Sequence, residues 1–188
     1  FRAVASGGDL RKSRIFLVER PIVNALSLGI PISRSKGSMI VDMGAECTEI
    51  SVLADNRVII SKPLSFGGNR IDEAIVANVR KRCGLHISRR MASRLKTAMA
   101  GLAADTKEAR KVVGLDTLSG LPKEGVISSA VINEVIRTQL RQAADEIQLF
   151  LERTPPQIHN SITGEGIYLT GGCTRIPYID GYLAGQLG

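Results

Sequence analysis

The chain has 188 residues, of which 44% are hydrophobic and 23% charged. These are ordinary values for a soluble globular protein and leave enough chain for a core without covalent staples. They exclude a disordered tail, a collagen-like chain and a disulfide scaffold, and no run of about 18 apolar residues reads as a membrane span.

In chain order, Ile15-Phe16-Leu17-Val18 is a short apolar run that predicts a buried strand. Pro21 suits a first helical position, and Ile22 to Leu28 carries a helical pattern that Gly29 ends. Residues 30–37, with Pro31, Ser33, Ser35 and Gly37, read as a loop. Three strands are then expected at 38–43, 47–54 and 57–64, with a tight turn at Asp55-Asn56. Gly67-Gly68 breaks the strand pattern, and Ile71, Ala74, Ile75, Val79 and Cys83 fall on one helical stripe. A second helix is expected over 88–99, followed by a hairpin of 109–115 with 120–127.

The strongest helical pattern runs from Ala130 to Leu151, with Val131, Val135, Ala143, Ile147 and Leu151 on one face. Ser128 or Ser129 can cap its start, and Pro155-Pro156 stop it. A strand at 166–170 then runs into Gly171-Gly172, and 177–187 is a closing helix. The strands at 15–18, 38–43, 47–54, 57–64 and 166–170 are expected in one sheet, with the last two helices packed on it. The mixed order predicts an α/β fold whose sheet has antiparallel members.

Two glycine turns at strand ends could do chemistry. In Asp42-Met43-Gly44-Ala45-Glu46-Cys47-Thr48 a carboxylate ends a strand, a glycine turns the chain and a hydroxyl follows. Such a hairpin can aim backbone N–H groups at a phosphate while the Asp holds a metal-bound water. In Thr170-Gly171-Gly172-Cys173 a strand meets two glycines before a helix, which lets a ligand approach the backbone closely. Taken singly, each pattern is also ordinary turn chemistry. The cysteines, Cys47, Cys83 and Cys173, are scattered without a CxxC, which fits a reducing, cytosolic compartment. No signal-peptide pattern stands at the start. His86 and His159 are the only histidines and read as ordinary surface residues rather than a metal site or triad.

The net charge of +7 is localised. No acid lies between Glu73 and Asp105, whereas Arg80, Lys81, Arg82, Arg89, Arg90, Arg94 and Lys96 do. Such a stretch is either a solvated helix face or a surface for an anionic partner. Arg90 and Arg94 lie one helical turn apart and can share a face; they are expected to meet an acidic patch on a neighbour, with Arg80 to Arg82 solvated.

The two glycine turns, with a helical insert between them, resemble the second half of the actin-like ATPase (ribonuclease-H-like) fold, and the MreB family of rod-shape-determining bacterial actins in particular. The resemblance is carried by Ile15–Pro21 (IFLVERP), Gly37–Gly44 (GSMIVDMG), Asp72–Ile75, Gly114–Pro122 (GLDTLSGLP), Leu151–Pro156 (LERTPP) and Gly166–Gly172 (GIYLTGG). It implies a larger sheet-bearing subdomain at 1–66 and 129–188, with a smaller α+β subdomain inserted at 67–128. It implies a piece of a longer protein whose other half completes an ATP/ADP cleft with Mg2+, so that this half alone binds ATP poorly. It also implies self-association into filaments in the bacterial cytoplasm, beneath the membrane and with the wall-elongation machinery, and no nucleic acid partner.

By the same resemblance the nucleotide contacts are Gly44, Ala45, Glu46, Cys47, Thr48, Gly68, Ser93, Lys96, Gly171, Gly172 and Cys173, with Asp42 holding the metal-bound water. Several depart from the family pattern. Ala45 and Glu46 replace two of the phosphate loop's three glycines and Cys47 one of its two threonines, and Glu46 brings a carboxylate towards polyphosphate, a repulsion. Arg20 stands where the family carries the Glu that orients the attacking water, and an arginine cannot accept its proton. Ser93 replaces a ribose-binding Glu, and Cys173 a third glycine. The expectation is a cytoskeletal protein with weak or absent ATPase activity. A sugar-kinase-like phosphotransferase and a chaperone-type ATPase on the same fold are the alternatives.

Overall fold

The computed structural model describes residues 16–33, 35–103 and 107–188. The first described helix is α1 (Arg20–Ser27), which carries Pro21 in its first turn, where a missing N–H costs nothing. The meander follows as β1 (Ser38–Met43), β2 (Thr48–Ala54) and β3 (Arg57–Leu64). Asp55 and Asn56 supply the positive φ angles that a tight hairpin needs. β7 (Ile167–Thr170) joins β1 in parallel, so the sheet order is β3-β2-β1-β7. This mixed sheet is the one expected from the sequence, apart from its first member.

That first member, the strand at 15–18, is not formed. Ile15 lies outside the described residues, and Phe16, Leu17 and Val18 are 80%, 71% and 58% exposed with no strand pairing. Both edges of β1 are taken by β2 and β7, and no described strand receives the run.

Between β3 and β7 the chain builds a second layer. α2 (Gly68–Cys83) ends on Gly84 in the left-handed conformation. α3 (Arg89–Met99) starts on Ser88, whose hydroxyl accepts from the Met91 amide at 3.2 Å. β5 (Ala109–Asp116) and β6 (Pro122–Ser128) form the expected hairpin, and a two-residue strand, β4 (Leu85–His86), completes a three-stranded sheet β4-β5-β6 apart from the larger one. β4 is too short for an alternation signal to reveal.

α4 (Ser129–Glu152) is the long helix that the periodicity predicts. The segment after it is not a plain stop. Pro156 opens a further helix, α5 (Pro156–Glu165), which the sequence reading lacks. A proline that ends one helix is equally suited to begin the next. After β7 the chain makes a 3-10 turn over Gly172–Arg175 before α6 (Ile179–Leu187), so the closing helix starts two residues later than expected.

Alternation along β1 and β2 divides the sheet's two faces. Met39, Val41, Met43, Ile50 and Val52 join the main core, which continues through Ile71, Ile75, Leu85, Ile127, Ile136 and Ile147. Ile40 and Leu53 point the other way and pack with Ala25 of α1 and Ile30. One buried core thus links both sheets, and the ends of β1 and β7 are held rigidly beside the start of α2.

Candidate functional site

The parallel pairing of β1 with β7 sets Asp42 opposite Thr170, so both glycine turns leave the same end of the sheet. Gly171 has φ +93°, and a Cβ there would lie 2.5 Å from the Met43 carbonyl oxygen and 2.7 Å from Asp42 Oδ1. Only glycine lets β7 turn this close to β1. The β1–β2 turn leans on the start of α2: the Gly68 and Asn69 amides donate to the Gly44 and Ala45 carbonyls at 3.0 and 2.8 Å. A Cβ on Gly67 would sit 2.4 Å from the Ala45 carbonyl oxygen, so that contact also requires glycine.

A cavity of about 540 Å³ opens between these turns, α2, α3 and the 3-10 turn. Its lining includes Gly44, Ala45, Gly68, Ser93, Lys96, Gly171, Gly172 and Cys173, all nominated from the sequence. Asn69, Asp72, Thr97 and Arg175 complete its polar wall, and Ala100, Ile176 and Pro177 its apolar one. None of these last residues was nominated. The i, i+4 spacing of Ser93 and Thr97 on one helix is the signal that could have found one of them. Glu46, Cys47 and Thr48 do not line the cavity. Thr48 is fully buried in β2, and Glu46 is exposed on the turn, where its carboxylate accepts a hydrogen bond from the Asn69 side chain.

The charges of the site are paired within the chain. Lys96 Nζ lies 2.7 Å from Asp72 Oδ1 and donates to the Gly68 carbonyl at 2.7 Å, with the Lys96 and Asp72 side chains only 15% and 5% exposed. Asp42 Oδ2 accepts from Asn24 at 3.2 Å and faces Arg20 at 3.8 Å. The same Arg20 nitrogen is 3.9 Å from Glu49 Oε2, and Glu49 also accepts from Ser61 at 2.9 Å.

Burial pushes the Cys173 thiol above its ordinary pKa, and the nearby Lys96 only partly offsets this. Its Sγ lies 3.3 Å from the Gly44 carbonyl oxygen, to which the protonated thiol donates. Alkylation at neutral pH is therefore expected to reach Cys173 last of the three cysteines, because the thiol is buried and protonated. Peptide mass mapping of an iodoacetamide time course checks this.

A meander closed by a parallel strand, with a glycine-walled cavity at the shared strand ends, is the arrangement of an actin-like fold, and solved structures of that class match it. The family model for MreB/Mbl protein matches residues 3–188, and the chain belongs to that family. It is 33% identical to the cell shape-determining protein MreB of Escherichia coli (strain K12) over 189 aligned positions, covering 100% of this chain and 54% of that protein. Against the cell shape-determining protein Mbl of Bacillus subtilis (strain 168) it is 30% identical, covering 98% of this chain and 55% of the relative. The crystal structure of MreB5 of Spiroplasma citri bound to ADP superposes with a TM-score of 0.90 at 28% identity, over 98% of this chain and 56% of that one. The chain spans about half the length of the relatives it matches.

Proposed function

We propose that the chain forms one wall of an adenine-nucleotide cleft in an MreB-type cytoskeletal protein. That protein assembles into filaments beneath the bacterial cytoplasmic membrane and works with the wall-elongation machinery in cell shape. The observation that carries this is the cavity itself: four separated segments bring their glycines, Ser93, Lys96 and Cys173 to one place, and a relative of the same fold is a structure bound to ADP. In this reading residues 1–66 with 129–188 are the sheet-bearing subdomain and 67–128 the inserted one. Hydrolysis is weak or absent, because Arg20 faces Asp42 and can take no proton from water.

Calorimetry of the chain with Mg-ATP is expected to give a Kd no better than about 0.1–1 mM. Low-micromolar binding would contradict the weakened site, and no binding of any adenine nucleotide would contradict the cleft.

Filament assembly adds a test on the basic helices. Arg82 is not simply solvated, since it bonds Glu134 at 2.7 Å, and Arg89 lies 3.4 Å from Glu73. Arg80, Lys81, Arg90 and Arg94 are exposed and have no ion-pair partner among the described residues. Pelleting of the longer protein is expected to fall with added salt, as screening shortens from about 8 Å at physiological strength to about 3 Å at 1 M. It should fall further in Arg90→Glu and Arg94→Glu than in Arg80→Glu. Equal behaviour of all three, with no salt effect, would make the stretch a solvated face.

A further inference from the structure

The polar groups around the cavity are already committed to one another, and this bears on which part of a nucleotide the cavity can take. The first two amides of α2 are spent on the Gly44 and Ala45 carbonyls, and the Gly44 amide donates to the Cys47 carbonyl at 3.0 Å. The Lys96 charge is spent on Asp72. Asn69, on the cavity wall, donates its side chain to Glu46. α2 has no acid in its first turn, so the Glu46 carboxylate is the negative charge that meets the positive end of that helix.

The site for a divalent cation is likewise taken. Magnesium at a phosphate site is normally held by one or two carboxylates together with the phosphates. The two carboxylates here, Asp42 and Glu49, share the Arg20 guanidinium at 3.8 and 3.9 Å, and Asp42 Oδ2 also accepts from Asn24. The residues present do not fit magnesium.

We propose that the cavity is selective for the nucleoside rather than for its polyphosphate, with Glu46 and Arg20 supplying the charges that phosphates and a divalent cation would bring. The proposal rests on the nucleotide-cleft reading and narrows it. The cavity's Ser93 and Thr97 hydroxyls and its Ala100, Ile176 and Pro177 surface suit a sugar and a flat heterocycle. A polyphosphate running out of the cavity past the Gly44–Ala45 turn instead meets the Glu46 carboxylate, which is exposed on that turn outside the cavity lining. Arg175 is the cation of the lining that has no ion-pair partner among the described residues, so its part is tested directly.

The test is NMR titration of the isotope-labelled chain with adenosine, ADP and ATP, each with magnesium and with EDTA, following the amides of Lys96 and Cys173. Adenosine is expected to bind at least as tightly as ATP, with the ATP affinity indifferent to magnesium. Glu46→Gly, and Glu46→Gln as the variant that keeps side-chain bulk, should raise ATP affinity by about tenfold and leave adenosine unchanged. Manganese alone should leave the Asp42 and Glu49 signals sharp in the native chain and broaden them in Arg20→Glu. ATP binding about tenfold tighter than adenosine in the native chain overturns the proposal and leaves the cleft reading standing. So does a magnesium-dependent ATP affinity, or an ATP preference lost in Arg175→Ala. No binding of any of the three ligands, in the native chain or in Glu46→Gly, overturns both.

Discussion

Replacing Lys96 with alanine is expected to destabilise the chain by about 3–5 kcal/mol, the usual cost of removing one member of a buried ion pair. The cause is the partner left behind. Asp72 is 5% exposed on the side chain and meets the Lys96 ammonium at 2.7 Å, so its carboxylate would be stranded in the wall of α2. The Gly68 carbonyl would lose its 2.7 Å bond from the same ammonium. At roughly 2–4 °C per kcal/mol for a chain of this size, the melting temperature should fall by about 6–20 °C. Replacing both partners with apolar residues, Lys96→Met with Asp72→Leu, should recover most of the loss, because no charge is then buried alone. The double variant nevertheless loses the polar side of the cavity. Thermal unfolding of the two variants beside the native chain separates pairing from packing. A single-variant cost below about 1 kcal/mol would mean that Asp72 reaches water when Lys96 is gone.

Much of this arrangement was legible in the sequence because it rests on local rules. The apolar run from Met39 to Val41 marks β1 as a strand, while which face meets the main core is settled by the fold, where Met39, Val41 and Met43 join it and Ile40 packs on the other side. The stripe from Val135 to Ile147 fixes α4 in the same way. The misses also have physical causes. Phe16 to Val18 has the composition of a buried strand, but burial needs a partner edge, which composition does not carry. α5 was hidden because a Pro-Pro pair reads equally as an end and as a beginning.

At the site, the residue types suggested the two turns, but the pairings depend on distances across the fold. Nothing local says that Glu46 meets Asn69, or that Arg20 lies between Asp42 and Glu49. Thr48 shows the limit most clearly. Its hydroxyl suggested a phosphate contact, yet the strand register opposite Met43 turns the residue into the core.

Gly171 carries the second large expected effect, and its neighbour is the control. Gly171→Ala should cost about 2–6 kcal/mol, the sum of about 1–3 for a non-glycine residue in a strained backbone region and about 1–3 for overpacking. Both contributions have a visible origin. The backbone sits at φ +93°, and the added Cβ would meet the Met43 carbonyl oxygen at 2.5 Å and Asp42 Oδ1 at 2.7 Å. Neither contact is the free end of a flexible chain. Met43 is held in register by β2, and Asp42 by its bond from Asn24. Relief therefore requires β7 to move away from β1, which opens the cavity on the side that Gly171 lines. Gly172→Ala meets nothing within 4 Å and has no positive φ, so it should change stability by less than about 0.5 kcal/mol, as for a surface substitution. Urea unfolding of the two variants gives the comparison. Equal midpoints would mean that β7 yields freely at this end, and that Asp42 is not fixed beside the cavity by the glycine turn.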